Sequence, residues 1–147
     1  MRQPQICKEG DEVVEFWLIQ GNEKLQLPVP PPKYAIKRSQ NNSTVIVEGL
    51  GEVSFIGKPK LAEIPLIESF FPKRVYSFCQ YKTFPTPKEC TDTIEKWMTS
   101  GKPIRYLVTG AINTECTIED FEYGERDGTG DVYFTLNLKE YKTITLA

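Results

Sequence analysis

The sequence predicts a mainly β, antiparallel domain, a sandwich or barrel, with one flanking α-helix. Three observations carry this. Val132, Phe134, Leu136 and Leu138 alternate with Tyr133, Thr135, Asn137 and Lys139, the two-residue period of a strand with one buried face. Upstream, short β-branched and aromatic runs are separated by glycine, asparagine and proline clusters at hairpin spacing. One segment alone has helical period: Cys90, Ile94, Trp97 and Met98 fall on one face between Thr86 and Gly101.

In order along the chain, residues 13–19 read as a strand stopping at Gly21 and Asn22, a tight turn. Residues 25–27 return. Pro28, Pro30, Pro31 and Pro32 end that strand, because proline has no amide to donate and fixes φ. The proline run reads as a stiff connection, with a proline-rich ligand for another domain as the alternative. Residues 34–39 and 44–47 read as a hairpin turning at 40–43, where Asn41 and Asn42 tolerate left-handed backbone. Gly49 and Gly51 mark a bulge or sharp bend, and residues 52–56 resume with Val53 and Phe55 on one face.

Residues 61–67 form a strand broken by Pro65. Phe70 and Phe71, just before Pro72, read as core anchors ahead of a turn, with an exposed aromatic pair facing a partner subunit as the alternative. Residues 75–81 stay open between strand and irregular chain. Thr86 caps the helix, Pro87 suits its first position and Glu89 completes a capping box. Gly101 fits the left-handed position after the last turn, and Pro103 prevents continuation. Trp97 reads as a core anchor, and Thr91, Asp92, Glu95 and Lys96 as the solvent side.

Residues 104–108 follow as a strand with Ile104, Tyr106 and Val108 on one face. In 114–123 the alternation slips: Cys116 and Ile118 share one parity, Phe121 and Tyr123 the other. A bulge near Glu119 and Asp120, or burial on both faces, reconciles them. Residues 125–130, with Gly128 and Gly130, read as a turn before the last strand. The expectation is seven to nine strands in one domain over 1–147. Residues 1–12 are expected as an N-terminal arm and 142–147 as a linker.

With 147 residues the chain can bury a real core, and 39% hydrophobic with 26% charged residues is ordinary for a globular protein. A net charge of −2 argues against a binder that grips nucleic acid by neutralising phosphates. No apolar run approaches the roughly 20 residues that span a bilayer, and the N-terminus lacks the apolar stretch of a signal peptide. No direct membrane contact and no nucleic-acid specificity are therefore expected, with assembly in a cytoplasm.

Cys7, Cys79, Cys90 and Cys116 form no close pair and read as free, mostly buried thiols. The absence of histidine removes Ser-His-Asp and Cys-His mechanisms within the chain and leaves zinc a poor fit. Glu119, Asp120, Glu122 and Glu125 alternate with apolar residues, as a solvated strand face does, rather than facing each other across a cleft. Residues 127–131 invite a calcium reading but lack the loop spacing and the trailing glutamate. No catalytic residue, metal or cofactor is expected, which leaves binding and assembly through loops and strand edges.

The order of motifs resembles a known family. The matching pieces are Leu27 to Tyr34 around the prolines, Gly49 to Val53, Ser69 to Pro72, Ile94 to Trp97 and Gly101 to Arg105. They continue with Ile118 to Phe121, Gly128 to Tyr133 and Leu138 to Tyr141. Each is weakly specific alone; the ordered set, covering about 25–141, is similar to tail and baseplate proteins of contractile phages and phage-like elements of Gram-positive bacteria. Members usually carry a LysM domain after a β-rich, tail-tube-like domain.

The resemblance implies a non-enzymatic baseplate hub or tube-initiator adaptor, as in an R-type bacteriocin. It would link tube to central spike, in a homo-oligomeric ring for which a hexamer is one candidate order. Implied partners are tail tube, hub or spike, and baseplate wedge proteins. The implied location is the tail or baseplate of a virion or phage-like particle assembled in a bacterial cytoplasm. No Gly-Asp-Thr-Leu signature of LysM occurs in the 147 residues, so contacts made by LysM do not carry over. Interface residues are expected along strand edges and at Asn41 and Asn42. The alternative is a small cell-wall- or carbohydrate-binding β-sandwich, motivated by Tyr76 and Tyr81 as exposed aromatics.

Overall fold

A computed structural model describes residues 14–142. The expected N-terminal arm, Cys7, Val13 and most of the expected linker lie outside the described residues. The described chain is mainly antiparallel β with one flanking helix, compatible with a β-sandwich, which is the expected class. Its strands are β1 (Phe16–Gln20), β2 (Glu23–Gln26), β3 (Ser43–Val47), β4 (Gly51–Phe55), β5 (Glu63–Phe71), β6 (Ile104–Val108), β7 (Ile112–Glu125) and β8 (Val132–Glu140). Helix α1 (Pro87–Ser100) lies between β5 and β6.

Six strands form one sheet in the order β2-β1-β6-β7-β8-β5, with every pairing antiparallel. The sheet is open, with β2 and β5 at its edges. β3 and β4 pair only with each other and make a separate two-stranded ribbon.

Alternation explains the core. Phe16 and Leu18 on β1, Ile104, Tyr106 and Val108 on β6, and Phe134, Leu136 and Leu138 on β8 are all buried on one face. The slip expected in β7 is present: the β7–β8 register shifts between Ile118 and Asp120. One extra residue there turns Phe121 and Tyr123 onto the face that Cys116 and Ile118 occupy before it. Pro65 sits on edge strand β5 at a second register shift, between Ile64 and Ile67, where a missing amide costs no ladder bond. Phe71 is fully buried and stacks on Phe134, ring centroids 4.4 Å apart. Phe70 points the other way and packs against Tyr133 at 5.0 Å.

Helix α1 packs Cys90, Ile94 and Trp97 into the same core. Its start is the expected capping box: Glu89 N donates to Thr86 Oγ1 at 3.2 Å, and Thr86 N donates to Glu89 Oε1 at 3.0 Å. Gly101 takes φ 75° beyond the last turn, with Pro103 following. We expect Thr86→Ala to cost about 1 kcal/mol, read as a lower urea midpoint at unchanged slope.

Two details of the helix differ from expectation. Met98 is 42% exposed, because Trp97 already fills the position facing the sheet. Thr91, expected on the wet side, is 4% exposed, its hydroxyl donating to Lys88 O at 3.0 Å.

The hairpin in the first half is also corrected. Its strands are β3 and β4, and its turn lies at 48–50, not at 40–43. Gly49 and Gly51, at φ 90° and 85°, supply that turn. Asn41 and Asn42 belong to the ribbon's root.

Candidate interaction surface

The β3–β4 ribbon carries exposed apolar side chains that no described residue buries. Direct partners in an antiparallel pair point the same way, so Val45 with Val53, Val47 with Gly51, and Ser43 with Phe55 share one face. Thr44 with Ser54, and Ile46 with Glu52, share the other. The first face is apolar, yet Val45, Val47 and Phe55 are exposed and Val53 is only half-buried. Leu50 at the tip and Ile56 at the base are exposed as well.

An isolated two-stranded ribbon is marginal in water, and this one is held at its root. Asn41 N donates to Lys58 O at 2.9 Å, Gly57 N to Asn42 Oδ1 at 2.8 Å, and Lys60 N to Ser39 O at 2.8 Å. Gly57 lies so close to Asn41 that a Cβ there would meet the Asn41 carbonyl oxygen at 1.8 Å. Below these pins, Lys37 and Glu63 exchange backbone bonds of 2.7 and 2.8 Å and join the root to β5. The result is a finger, separate from the main sheet and hydrogen-bonded at its root. Asn41 and Asn42, expected at an interface tip, fix its base.

At the finger's root lies a slot of about 270 Å³, walled by Tyr34, Ala35, Ile64, Pro65 and Ile67, with Lys33 beside it. Tyr106 contributes to its lining. The Tyr106 side chain is 1% exposed and its hydroxyl has no hydrogen-bond partner among the described residues, an unusual state for a buried phenol.

The other candidate features are occupied internally. Tyr76 donates its hydroxyl to Asp131 Oδ2 at 2.6 Å and stacks on Phe78 at 5.1 Å. Tyr81 donates to Gln26 O at 2.7 Å, and burial raises its phenol to about 12. Both rings are half-buried rather than freely exposed. Asp131 is buried and also accepts from Lys73 N at 2.7 Å, so it ties residues 73–76 to the start of β8. Asp127 accepts from Thr129 Oγ1 at 2.6 Å and from Tyr133 Oη at 3.1 Å, and the Thr129 hydroxyl lowers its carboxyl below the usual range. These bonds, with Gly128 and Gly130 between them, make 127–131 the expected turn.

Burial raises the Cys90 and Cys116 thiols to about 12, far from a nucleophile's range. Among the described residues no group of three or more histidine, cysteine or acidic side chains is placed to hold a metal ion. Among the same residues, no helix is long and apolar enough to cross a membrane.

The helix is latched to the sheet by Glu23 on β2. Glu23 accepts from Trp97 Nε1 at 3.0 Å and pairs with the Lys96 ammonium. Lys96, then Trp97, lowers the Glu23 carboxyl below its ordinary value of 4.5. A depressed acid stabilises the fold at pH above its unfolded value, and that contribution is lost as pH falls through the lowered one. Glu23→Gln should therefore melt below the parent at pH 7, with the gap closing as pH drops under 4.5. Thermal melts across pH 3 to 7 check this, and a gap independent of pH would rule it out.

A comparison with known protein families finds no match. The chain is 45% identical over 134 residues to the Bacillus subtilis (strain 168) protein described as uncharacterized protein YqbP. The match takes in 89% of this chain and 60% of that relative, so the chain spans about three fifths of the relative's length.

Proposed function

We propose that the chain is a non-enzymatic structural subunit of a contractile phage tail or phage-tail-like particle, acting as a baseplate hub or tube-initiator adaptor. The single observation that carries this reading is the finger. Val45, Val47 and Phe55 stand exposed on one face of a ribbon that is hydrogen-bonded at its base, and no described residue buries them. Apolar area left open on such a ribbon is stabilised by burial against another subunit. A point-group assembly supplies such a cover at each position. The ordered motifs shared with tail and baseplate proteins support the particle as the setting, and the ring, its tube and spike neighbours and its location follow from that resemblance.

The cell-wall or carbohydrate reading has less support. Tyr76 and Tyr81, which motivated it, spend their hydroxyls and much of their ring surface inside the chain. Purified particles test the proposal. Electron microscopy and mass spectrometry should find the chain at the baseplate or tube base, and its absence from intact particles would sink the idea. Specific, saturable retention on cell walls would favour the alternative.

A further inference from the structure

We propose that Leu50 at the finger tip of one copy plugs the slot beside Tyr106 of a second copy, an inference that rests on the assembly reading. Leu50 is 76% exposed, between two glycines whose positive φ folds the backbone sharply around it. Leu50 N donates to Val47 O at 3.0 Å, closing the turn, so the side chain is presented on a fixed loop. A leucine side chain occupies on the order of 100 Å³, so the slot of about 270 Å³ holds it with room for part of the turn.

Two further features match. Glu48 and Glu52 flank Leu50, and Lys33 lines the slot, so opposite charges meet when the tip enters. The Tyr106 hydroxyl, unpaired among the described residues and a donor in a nearly dry wall, needs an acceptor. A main-chain carbonyl brought in with the turn provides one.

The same geometry excludes self-insertion. The slot lies at residues 33–35 and 64–67, where the finger is rooted. The five-residue strands of the ribbon, roughly 16 Å long, stand between that root and the tip. Each copy thus offers a knob at one end of the finger and a socket at the other. Contacts of this kind are heterologous, and repeat into a ring or a stack.

Two exposed substitutions test it with the full chain. Leu50→Asp removes the knob, and Ala35→Trp blocks the socket. Each should weaken self-association on the order of thirtyfold, the effect of losing a buried apolar anchor. Mixed in equal amounts, the two variants should form a one-to-one heterodimer and nothing larger, since one intact knob and one intact socket remain. Sedimentation velocity reads both results. Charge exchange is the second arm: Lys33→Glu and Glu48→Lys should each weaken association, and the double variant should restore it. Variants that assemble like the parent, or a mixture that stays monomeric, would overturn the socket while leaving the assembly reading intact. A parent that stays monomeric at every concentration and is missing from particles would overturn both.

Discussion

Replacing Trp97 by alanine should remove about 3–5 kcal/mol of stability, the largest single loss among the helix positions. The side chain is 1% exposed, and it is the bulkiest of the fully buried residues. It wedges between the sheet core and the helix, and its indole N–H donates to Glu23 Oε1. Truncation leaves a cavity under the last helical turns and frees a carboxylate that Lys96 alone must hold. Because a domain of this size has only about 5–15 kcal/mol in hand, Trp97→Ala should be partly unfolded near body temperature. Trp97→Phe keeps most of the volume and loses only the donor, so it should fall well short of that. Urea titration followed by circular dichroism measures both. A loss under about 1 kcal/mol for alanine would mean that the helix is not keyed into the core through this residue.

The opposite pattern is expected for the finger. Val45, Val53 and Phe55 contribute little to the isolated chain, since their faces are wet or half-wet already. Changing all three to serine should move the melting temperature by about 2 °C or less. If the face is covered in an assembly, each lost side chain removes about 1.5 kcal/mol or more of buried apolar contact. Together that is on the order of a thousandfold in association. Incorporation of tagged chain into particles, beside a melt of the same preparation, separates the two effects. A variant that melts normally and still incorporates would remove the finger from the assembly account.

Much of this fold was legible because its cues are local. The capping box at Thr86 and Glu89, the glycine stop at 101 and the alternation through β8 all depend on neighbours within a few positions. The slip in β7 was legible too, since one added residue inverts a parity that can be counted. The finger was misjudged because two turn-forming clusters compete within a dozen residues. Asn41 and Asn42 are good turn formers, but Gly49 and Gly51 reach φ values that asparagine takes only at a cost. The glycines take the turn, while the Asn41 backbone N–H donates to Lys58 O and the Asn42 side-chain oxygen accepts from Gly57 N to pin the stalk. Met98 was misplaced because helical spacing admits two adjacent positions to one stripe, while the sheet beneath has room for Trp97.

Nothing local marked the slot or the role of Asp131. The Tyr106 pocket joins residues 33–35, 64–67 and 106, and the Asp131 tie joins 131 to 73 and 76. Such sites exist only once the sheet has formed. The finger's open face could have been found in part: with the turn at Gly49 and Gly51, Val45, Val47, Val53 and Phe55 share one face, while Ile46 falls on the other.

The strand order also sets a timetable for folding. β1 pairs with β6, and bonded residues such as Glu15 and Thr109 stand 94 positions apart. During synthesis the N-terminal hairpin must therefore wait, half its partners missing, until most of the chain has left the ribosome. The finger's own pairing has no such delay, because its two strands are joined by three residues. Alone the ribbon is marginal, and it is secured only once Lys37 and Glu63 tie its root to β5. Until then the newborn chain is most exposed to wrong encounters. A prompt supply of sister copies or a chaperone would then matter more than the stability of the finished domain.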